Sequence, residues 1–403
     1  MKLCIAGKNN IAVESLYIAL EFFNKEDIVV ILNQEDDKKN KWQKSLGFFA
    51  EKEGVKIVGL EDVYPVKDLI FLSLEFDKII APSKFATNKI YNLHFSLLPE
   101  YKGCYTSLLP ILHGKNQTGV TFHNIDAGID TGDIIFSEKI DISREMTCRD
   151  LYYSYIKTGV ELIRKQFKAI ISGDFIPKVQ DTNNSTYFSR KSLSFDQKEI
   201  KAFQTAFQIK NTVNAFAFRE YQMPTFKGKA IRKVNILPSK SVAKPGTVLS
   251  DEMEAIRIAT IDFDVDLVRD YYDELISAVK NNDTTSLERV LPFIEDLNES
   301  DKNAWTPLII ACYNGSLESV KILLEAGAEL HKTNLNLTTP FMYAKENALK
   351  TKNLELIRFL IDKGSDVYAK DIFGKTVIDY LDTDEHAFLI NELKKPTPYQ
   401  NTK

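Results

Sequence analysis

The feature that most constrains the fold is a repeat in the last third of the chain. The residues TPL at 306–308 return as TPF at 339–341, which gives a period of 339 − 306 = 33. Ala278, Ala311 and Ala344 follow the same period. A unit of this length cannot bury its apolar face alone, so successive units must stack on their neighbours to form a core.

This repeat resembles the ankyrin repeat, a β-turn followed by two antiparallel helices. Gly327 in LLEAGAEL returns as Gly364 in LIDKGSDV, and an insertion after Ala344 explains the longer spacing. With a shortened terminal unit at Lys375–Lys394, three repeats meet the minimum for a stable stack. We therefore expect residues 266–403 to form an all-α ankyrin repeat domain.

Residues 1–190 alternate apolar runs with helical patterns. The predicted strands are Leu3–Ala6, Ile28–Leu32, Val55–Val58, Phe71–Ile80, Gly119–Asn124 and Ile134–Ile142, and the predicted helices include Lys44–Glu53 and Thr147–Ile171. Strands alternating with helices at this spacing predict an α/β domain with a Rossmann-like, mostly parallel sheet. The residues after Gly7 lack the GxGxxG pattern of a dinucleotide site, so NAD is not expected.

Residues 191–265 are expected to form a small, mainly β domain. A helical pattern runs from Phe195 to Phe207, and prolines and Gly246 divide the short runs that follow. These β-type runs are Lys229–Ile236, Thr247–Ser250 and Ala255–Thr260. The sequence thus predicts three domains, at residues 1–190, 191–265 and 266–403.

Composition restricts the function classes. No apolar run reaches the roughly 18–20 residues of a membrane-spanning helix, and no signal peptide is recognised at the N-terminus, so a cytoplasmic protein is expected. A formal net charge of −4 without a basic block argues against a nucleic-acid partner. The four cysteines lack CxxC spacing and the five histidines lack HExxH, so neither disulfides nor a metal are expected.

The chemistry is concentrated in YNLHFSLLPEYKG, residues 91–103. Asn92 and His94 stand two residues apart, so their side chains share one face of an extended segment. A second segment, DAGIDTGDI at residues 126–134, places carboxylates in a glycine-rich loop. The separation along the chain, 130 − 92 = 38, is enough for a helix and a strand to return Asp130 to Asn92.

These two segments closely resemble the formyltransferases that use N10-formyltetrahydrofolate, over roughly residues 1–190. In that family an Asn, a His and a loop Asp are the catalytic trio, and they correspond here to Asn92, His94 and Asp130. His94 is suited to remove the amine proton, and the Asn92 amide to donate to the oxyanion of formyl transfer. Asp130 would orient or charge-stabilise the imidazole, or hold a proton-carrying water.

The same resemblance implies a folate pocket, in which backbone groups of one strand and of the Asp-containing loop hold the pterin. The residues implied are Leu72, Leu74, Phe76, Asp77, His123 and Asp126. For His123, lining the pocket and supporting the loop are equal alternatives.

TYFSRK at residues 186–191 combines aromatic and cationic side chains, which suit the base and phosphates of a nucleotide. With the later NAFAFREYQMP, it is similar to sugar N-formyltransferases that act on dTDP-linked amino-dideoxy sugars. The implied substrate-binding residues are Lys102, Tyr105, Tyr187, Arg190, Lys191 and Tyr221. The appended ankyrin stack narrows the resemblance to bacterial enzymes that formylate dTDP-3-amino-3,6-dideoxy-glucose for O-antigen and lipopolysaccharide biosynthesis.

The ankyrin part adds further alternatives. Such stacks commonly bind proteins, so a protein partner or a homodimer is expected. Trp305 either packs between neighbouring turns or binds a ligand, and the sharper hypothesis is a second, non-catalytic nucleotide-sugar site. Its candidate residues are Trp305, Asn303, His331 and Lys332.

Two other functions stay open. A methionyl-tRNA formyltransferase would show a strongly basic face and a steep salt dependence. An ankyrin interaction protein could carry an inactive formyltransferase domain, but the presence of Asn92, His94 and Asp130 together argues against it.

Overall fold

A computed structural model describes residues 1–394, so the last nine residues of the predicted domain 266–403 lie outside the described part of the chain. The chain divides into two compact units. The first unit comprises Met1–Lys39 and Gln43–Arg269, and the second, which we call the repeat unit, comprises Asn40–Trp42 and the chain from Asp270.

A seven-stranded sheet lies at the centre of the first unit. Up to residue 190 the strands are β1 (Lys2–Gly7), β2 (Ile28–Leu32), β3 (Lys56–Ile57), β4 (Leu69–Leu74), β5 (Ile90–His94), β6 (Lys102–Gly103), β7 (Gln117–Asn124), β8 (Ile134–Asp141) and β9 (Tyr187–Phe188). The main sheet has the order β3-β2-β1-β4-β5-β7-β8, and β6 pairs with β9. Strands β3 to β5 of this order run parallel, whereas β7 and β8 are antiparallel. The predicted mostly parallel sheet is confirmed.

The ends of the predicted strands agree with the structure to within two residues, except at the end of β4. β2 coincides with the predicted Ile28–Leu32, because its continuous apolar sequence is buried within the sheet. The run predicted at Phe71–Ile80 was too long, since β4 ends at Leu74. The next residue, Glu75, has a φ of +55°, and this left-handed conformation turns the chain out of the strand.

The helices of the first unit are α1 (Asn9–Leu20), α2 (Leu46–Glu53), α3 (Leu60–Val63), α4 (Leu109–Leu112), α5 (Cys148–Ser172) and α6 (Ala206–Phe216). The long helix α5 has a local start signal in the sequence. The Thr147 side chain accepts a hydrogen bond from the Asp150 N–H, and the Asp150 carboxylate accepts one from the Thr147 N–H. This capping box agrees with the predicted start at Thr147.

A second, five-stranded sheet completes the first unit, with the order β10-β11-β14-β13-β12. Its strands are β10 (Thr225–Phe226), β11 (Lys229–Ile236), β12 (Val248–Asp251), β13 (Ala255–Ile258) and β14 (Val265–Arg269). The β-rich middle region is confirmed, and β14 crosses the predicted boundary between residues 265 and 266. The helix predicted over Phe195–Phe207 was wrong. A 3-10 turn ends at Lys198, and α6 begins only after Thr205, whose side chain accepts the Gln208 N–H.

The repeat unit stacks pairs of short helices, which confirms the predicted all-α repeats. Its helices are α7 (Tyr272–Asn281), α8 (Thr284–Val290), α9 (Pro307–Asn314), α10 (Leu317–Glu325), α11 (Pro340–Thr351), α12 (Glu355–Asp362) and α13 (Ala387–Leu393). The repeated Thr-Pro has a physical cause: Thr306 and Thr339 cap α9 and α11 through their side-chain oxygens, and proline occupies the first helical position. α11 has 12 residues where α9 has 8, so the insertion predicted after Ala344 lengthens this helix.

Within residues 1–394, no helix combines the length and the apolar character that are needed to cross a membrane.

Candidate active site

A cleft of about 1230 Å³ opens at the carboxyl ends of β1, β2 and β4 and beside β5. In open parallel sheets, ligands bind at this edge, because the loops that leave the strands diverge there. Its walls include Asn92, His94 and Asp130, so the structure brings the three predicted catalytic residues together.

Strand β5 positions Asn92 and His94. It is paired with β4 on one side and with β7 on the other, and the register places Asn92 opposite Ser73 and His123. His94, the last residue of β5, is 7% exposed. The two side chains therefore project from one rigid strand, as their spacing of two residues predicts.

The Asp130 loop is held by contacts from two distant parts of the chain. Its backbone has a φ of +54°, and its Oδ2 atom accepts the Gly103 N–H at 2.9 Å. The Gln180 side-chain amide donates to the carbonyls of Asp130, at 2.9 Å, and Gly132, at 2.7 Å. A Cβ atom at residue 103 would lie 2.3 Å from the Phe188 carbonyl oxygen, so this donor position requires glycine.

The hydrogen bonds of His94 determine which ring nitrogen is basic. Nε2 lies 2.8 Å from the carbonyl oxygen of Tyr101, which can only accept, so Nε2 carries the proton. In the neutral ring the lone pair is then on Nδ1, which faces Oδ2 of Asp130 at 3.5 Å. A proton taken up at Nδ1 would lie beside the carboxylate, and Asp130 would stabilise the resulting imidazolium.

His123 orients the Asn92 amide in the same way. Its Nδ1 donates to the Asn124 carbonyl at 2.8 Å, which leaves Nε2 to accept from Asn92 Nδ2 at 3.1 Å. The other N–H of Asn92 is held more weakly, with Nδ2 lying 3.4 Å from Asp130 Oδ1. This second N–H can turn to a substrate oxygen.

The protonation states suit a base next to a carboxylate. Burial lowers the pKa of His94 below its ordinary value, although Asp130 and the Tyr101 carbonyl partly oppose this effect. Burial alone would raise the pKa of Asp130, but His94, His123 and the Gly103 N–H outweigh it and lower that pKa to about 2. At neutral pH the imidazole is thus neutral and the carboxylate charged.

The predicted folate residues divide into two groups. Phe76, Asp77, His123 and Asp126 line the cleft, together with the apolar side chains Ile79, Ile80, Ile125 and Ile129. The side chains of Leu72 and Leu74 are fully buried in β4, within the sheet, so only their backbone groups could serve the pterin as the resemblance implies. Ser73, which lies between them in β4, and Glu75, which follows the strand, do line the cleft.

Four of the six predicted substrate-binding residues line the cleft, and two do not. Pairing of β6 with β9 brings the TYFSRK segment to the cleft, where Tyr105, Tyr187, Arg190 and Tyr221 line the wall. The Tyr105 hydroxyl donates to the Arg190 carbonyl at 2.9 Å, which joins two parts of this wall. Lys102 is buried in β6, and Lys191 is exposed beyond β9, so the structure does not bring either lysine to the cleft.

Several cleft residues were missed by reasoning from the sequence. Lys8, Asn33 and Glu75 come directly after β1, β2 and β4, and all three line the cleft. Their position at the carboxyl ends of predicted parallel strands was the signal available. For Gln180, which is far along the chain from the loop that it holds, the sequence carried no such signal.

In the repeat unit, Trp305 belongs to a cluster of three half-buried aromatic rings. Its ring centre lies 4.6 Å from that of Tyr343 and 5.1 Å from that of Tyr313. The Asn303 side chain donates to Asp301 within the same turn. The two other residues of the predicted second site, His331 and Lys332, are exposed.

Among the described residues, no group of three or more His, Cys, Asp or Glu side chains is arranged to hold a metal ion.

Comparison with known protein families identifies two regions of the chain. Residues 68–166 match the formyl transferase family model, and residues 275–371 match a model of three ankyrin repeats. The first match contains Asn92, His94 and Asp130.

Two solved structures are similar to the chain over about two thirds of its length. One is an N-formyltransferase from Helicobacter canadensis in complex with folinic acid and dTDP-3-aminofucose, with 39% identity, a TM-score of 0.63, and coverage of 67% of this chain and 100% of that one. The other is a sugar 3N-formyl transferase, solved in the presence of dTDP and 5-N-formyl-THF. It has 40% identity and a TM-score of 0.63, and the match covers 67% of this chain and 97% of that one.

A curated relative carries a different activity in its name. The methionyl-tRNA formyltransferase of Clostridium beijerinckii is 27% identical over 280 residues, which cover 64% of this chain and 88% of the relative.

Proposed function

The chain belongs to the N-formyltransferase family, and we propose that it formylates the amino group of a dTDP-linked amino-dideoxy sugar. The proposed donor is N10-formyltetrahydrofolate, and the proposed acceptor is dTDP-3-amino-3,6-dideoxy-glucose. The observation that carries the proposal is the joint wall of the cleft, where the trio Asn92, His94 and Asp130 meets Tyr187 and Arg190 of the TYFSRK segment.

The cleft has room for both substrates. At about 1230 Å³ it exceeds the ~300–1,000 Å³ that is usual for one small ligand. The apolar side chains near Phe76, with the Asp77 carboxylate, suit a flat pterin ring that carries N–H donors. The tyrosines and Arg190 suit a base and a diphosphate.

We propose a role for each member of the trio that agrees with its contacts. The donor supplies an already activated formyl group, so no nucleophilic side chain is needed. Asn92 donates its second N–H to the formyl oxygen as the acceptor nitrogen bonds to the formyl carbon and that oxygen gains charge. His94 takes the proton that this nitrogen loses at Nδ1, and Asp130 stabilises the protonated ring. His94 then returns the proton to the departing nitrogen of the donor, which leaves the ring neutral again.

Incubation of the protein with N10-formyltetrahydrofolate and dTDP-3-amino-3,6-dideoxy-glucose tests the proposal. We expect a product heavier by one formyl group in place of one hydrogen, with the 3-formamido linkage visible by NMR. A parallel reaction with methionyl-tRNA tests the main alternative. Formylation of the tRNA and not of the sugar would overturn the proposed acceptor while leaving the family intact.

The biological setting follows as part of the same proposal. A 3-formamido sugar is a building block suited to O-antigen and lipopolysaccharide biosynthesis. We place the enzyme in the cytoplasm as a homodimer. Its four cysteines are free thiols, as is usual in reducing compartments.

A second nucleotide-sugar site in the repeat unit is the other proposal, supported by the three half-buried rings around Trp305. The face of an aromatic ring offers a platform for a base. We expect Trp305→Ala to remove one dTDP-binding event in calorimetric titration without changing the rate of formyl transfer. Phe373→Ala, which removes an exposed ring of the same unit, serves as the control. Unchanged stoichiometry in Trp305→Ala would refute the second site.

A further inference from the structure

The carboxyl ends of β1, β2 and β4 carry a group of charged and amide side chains that the proposed formyl transfer does not use. Lys8 follows β1, Asn33 follows β2 and Glu75 follows β4. The register of the sheet relates this group to the catalytic trio. Leu74, the last residue of β4, pairs with Leu93 of β5, so Glu75 and His94 each follow a paired residue of two neighbouring strands. Glu75 and His94 both line the cleft.

Glu75 is held in place by two donors. The Tyr152 hydroxyl lies 2.9 Å from Oε2 and 3.1 Å from Oε1, and the Asn9 amide lies 3.4 Å from Oε2. The Asn9 amide also donates to the Tyr152 hydroxyl at 2.8 Å, which links the two donors. The carboxylate thus has a defined orientation at the cleft wall, and its backbone adopts the unusual φ of +55°.

The charges at this part of the wall favour a cation. Three carboxylates, those of Glu35, Glu75 and Asp77, line the cleft beside two lysines, Lys8 and Lys78. Lys8 forms an ion pair with Glu35, in which the Lys8 Nζ atom lies 2.8 Å from the Glu35 Oε1 atom. Burial raises the pKa of Glu75, and Lys8, Tyr152 and Asn9 only partly oppose this effect. A cation bound beside this carboxylate would relieve the cost of its burial.

Asn33 provides the second, independent sign of a ligand. Its amide nitrogen donates to the Glu75 carbonyl at 2.9 Å, so the two residues lie side by side. Its Oδ1 atom is buried and has no donor among the described residues, although the residue is only 3% exposed and lines the cleft. A buried acceptor without a partner is costly unless a ligand supplies the hydrogen.

We propose that Glu75 and Asn33 bind the ammonium group of the acceptor sugar before formyl transfer. An ammonium has three N–H donors. One would bind the Glu75 carboxylate and one the Asn33 carbonyl oxygen, which holds the nitrogen at the strand ends in the cleft that His94 also lines. The third proton passes to water before attack, which frees the lone pair of the nitrogen, and His94 then takes the proton lost during transfer. The subsite thus selects an amine over a hydroxyl at the reacting carbon of the sugar. This inference rests on the proposed function, since it concerns the acceptor of that reaction.

The test compares two nucleotide sugars that differ at one position. The first is dTDP-3-amino-3,6-dideoxy-glucose, and the second is the dTDP-linked 6-deoxy sugar with a hydroxyl in place of the amine. We expect the wild-type protein to bind the amine roughly 10- to 100-fold more tightly in calorimetry near pH 7, the range for a hydrogen bond to a charged group. In Glu75→Gln this preference should fall to near unity, because the shape is kept and the charge is lost.

Two further variants make the result specific. Glu75→Asp keeps the charge and should retain most of the preference. Glu138→Gln removes a carboxylate of β8 that does not line the cleft, and it should leave the ratio of the two affinities unchanged. Thermal unfolding of each variant checks that the fold is retained.

The outcomes separate this inference from the function on which it rests. If the wild type formylates the amino sugar but Glu75→Gln keeps the full preference, the inference is overturned and the proposed function stands. Equal losses for both sugars would also overturn it, because Glu75 would then serve the fold or a hydroxyl. If the wild type binds neither sugar, the proposed function itself fails.

Discussion

The catalytic cleft and the ankyrin turns are built in opposite ways. Asp130 is held by Gly103 and Gln180, which lie 27 and 50 residues away in the chain, and its own backbone is in the left-handed region. The turn before α9 is held by Thr306, whose side chain binds an N–H only three residues later. The cleft therefore depends on the whole first unit, whereas each turn of the repeat unit depends on its own few residues.

This difference separates two kinds of sensitivity. Substitutions in the cleft remove a group whose role no neighbouring residue can take over. They should therefore stop the reaction without changing the fold. Substitutions in a repeated turn remove one local contact among several similar ones. They should therefore lower the stability slightly without changing the rate of formyl transfer. Three substitutions, at His94, Gln180 and Thr306, test this contrast with decreasing expected effect.

The largest effect is expected for His94→Ala. The variant loses the proton acceptor beside Asp130, and general-base catalysis typically contributes roughly 10²–10⁴-fold. We expect kcat for sugar formylation to fall by that factor while circular dichroism and thermal unfolding stay close to wild type. His386→Ala, which removes a histidine of the repeat unit, is the matched control and should keep full activity. A wild-type kcat in His94→Ala would show that another group accepts the proton.

A smaller loss is expected for Gln180→Ala. Gln180 does not touch the predicted reacting atoms, but its amide holds the carbonyls on either side of Thr131 in the Asp130 loop. Misplacement of a catalytic group by about 1 Å can cost on the order of 10²-fold. We expect kcat to fall by up to that factor, with a much smaller change in KM for the sugar.

Two comparisons make the Gln180 result specific. Gln117→Ala removes an exposed glutamine of β7 and should leave kcat unchanged. A Gln180→Ala variant in which KM rises and kcat does not would assign Gln180 to binding and not to positioning.

The smallest effect is expected for Thr306→Ala. Loss of the cap of α9 should lower the free energy of unfolding by about 1 kcal/mol. The kcat of formyl transfer should not change. Thr306→Ser keeps the hydroxyl and should restore the stability in denaturant titrations. If Thr306→Ala were fully folded but lost activity, the contrast would be wrong, because the reaction in the cleft would then depend on a turn of the repeat unit.

The same contrast explains what could be predicted from the sequence. Helix starts at Thr147 and Thr306, and the strand Ile28–Leu32, depend on neighbouring residues and a simple apolar pattern, so they were predictable. The helix placed at Phe195–Phe207 failed because a capping signal at Thr205 outweighed the apolar periodicity before it.

The catalytic trio was predictable only as a motif. Its spacing and its resemblance to a family identified Asn92, His94 and Asp130, but not the atoms that orient them. The tautomer of His94 depends on the Tyr101 carbonyl. The end of β4 depends on a left-handed residue, Glu75, that propensity does not favour. Such features arise when segments that are distant in the chain come into contact, so a local sequence pattern cannot predict them.

The left-handed residues around the cleft have a consequence for protein engineering. Tyr101, Tyr105, Asp130, Glu75 and Asn9 all have φ near +60° without being glycine, and residues in sparsely populated backbone regions cost roughly 1–3 kcal/mol each. A selection for thermal stability would favour glycine at these positions, because glycine removes the backbone strain of the left-handed conformation. The selected variants would be more stable, but their cleft residues would be held less precisely. A screen for thermal stability of this enzyme therefore needs a measurement of turnover at every round.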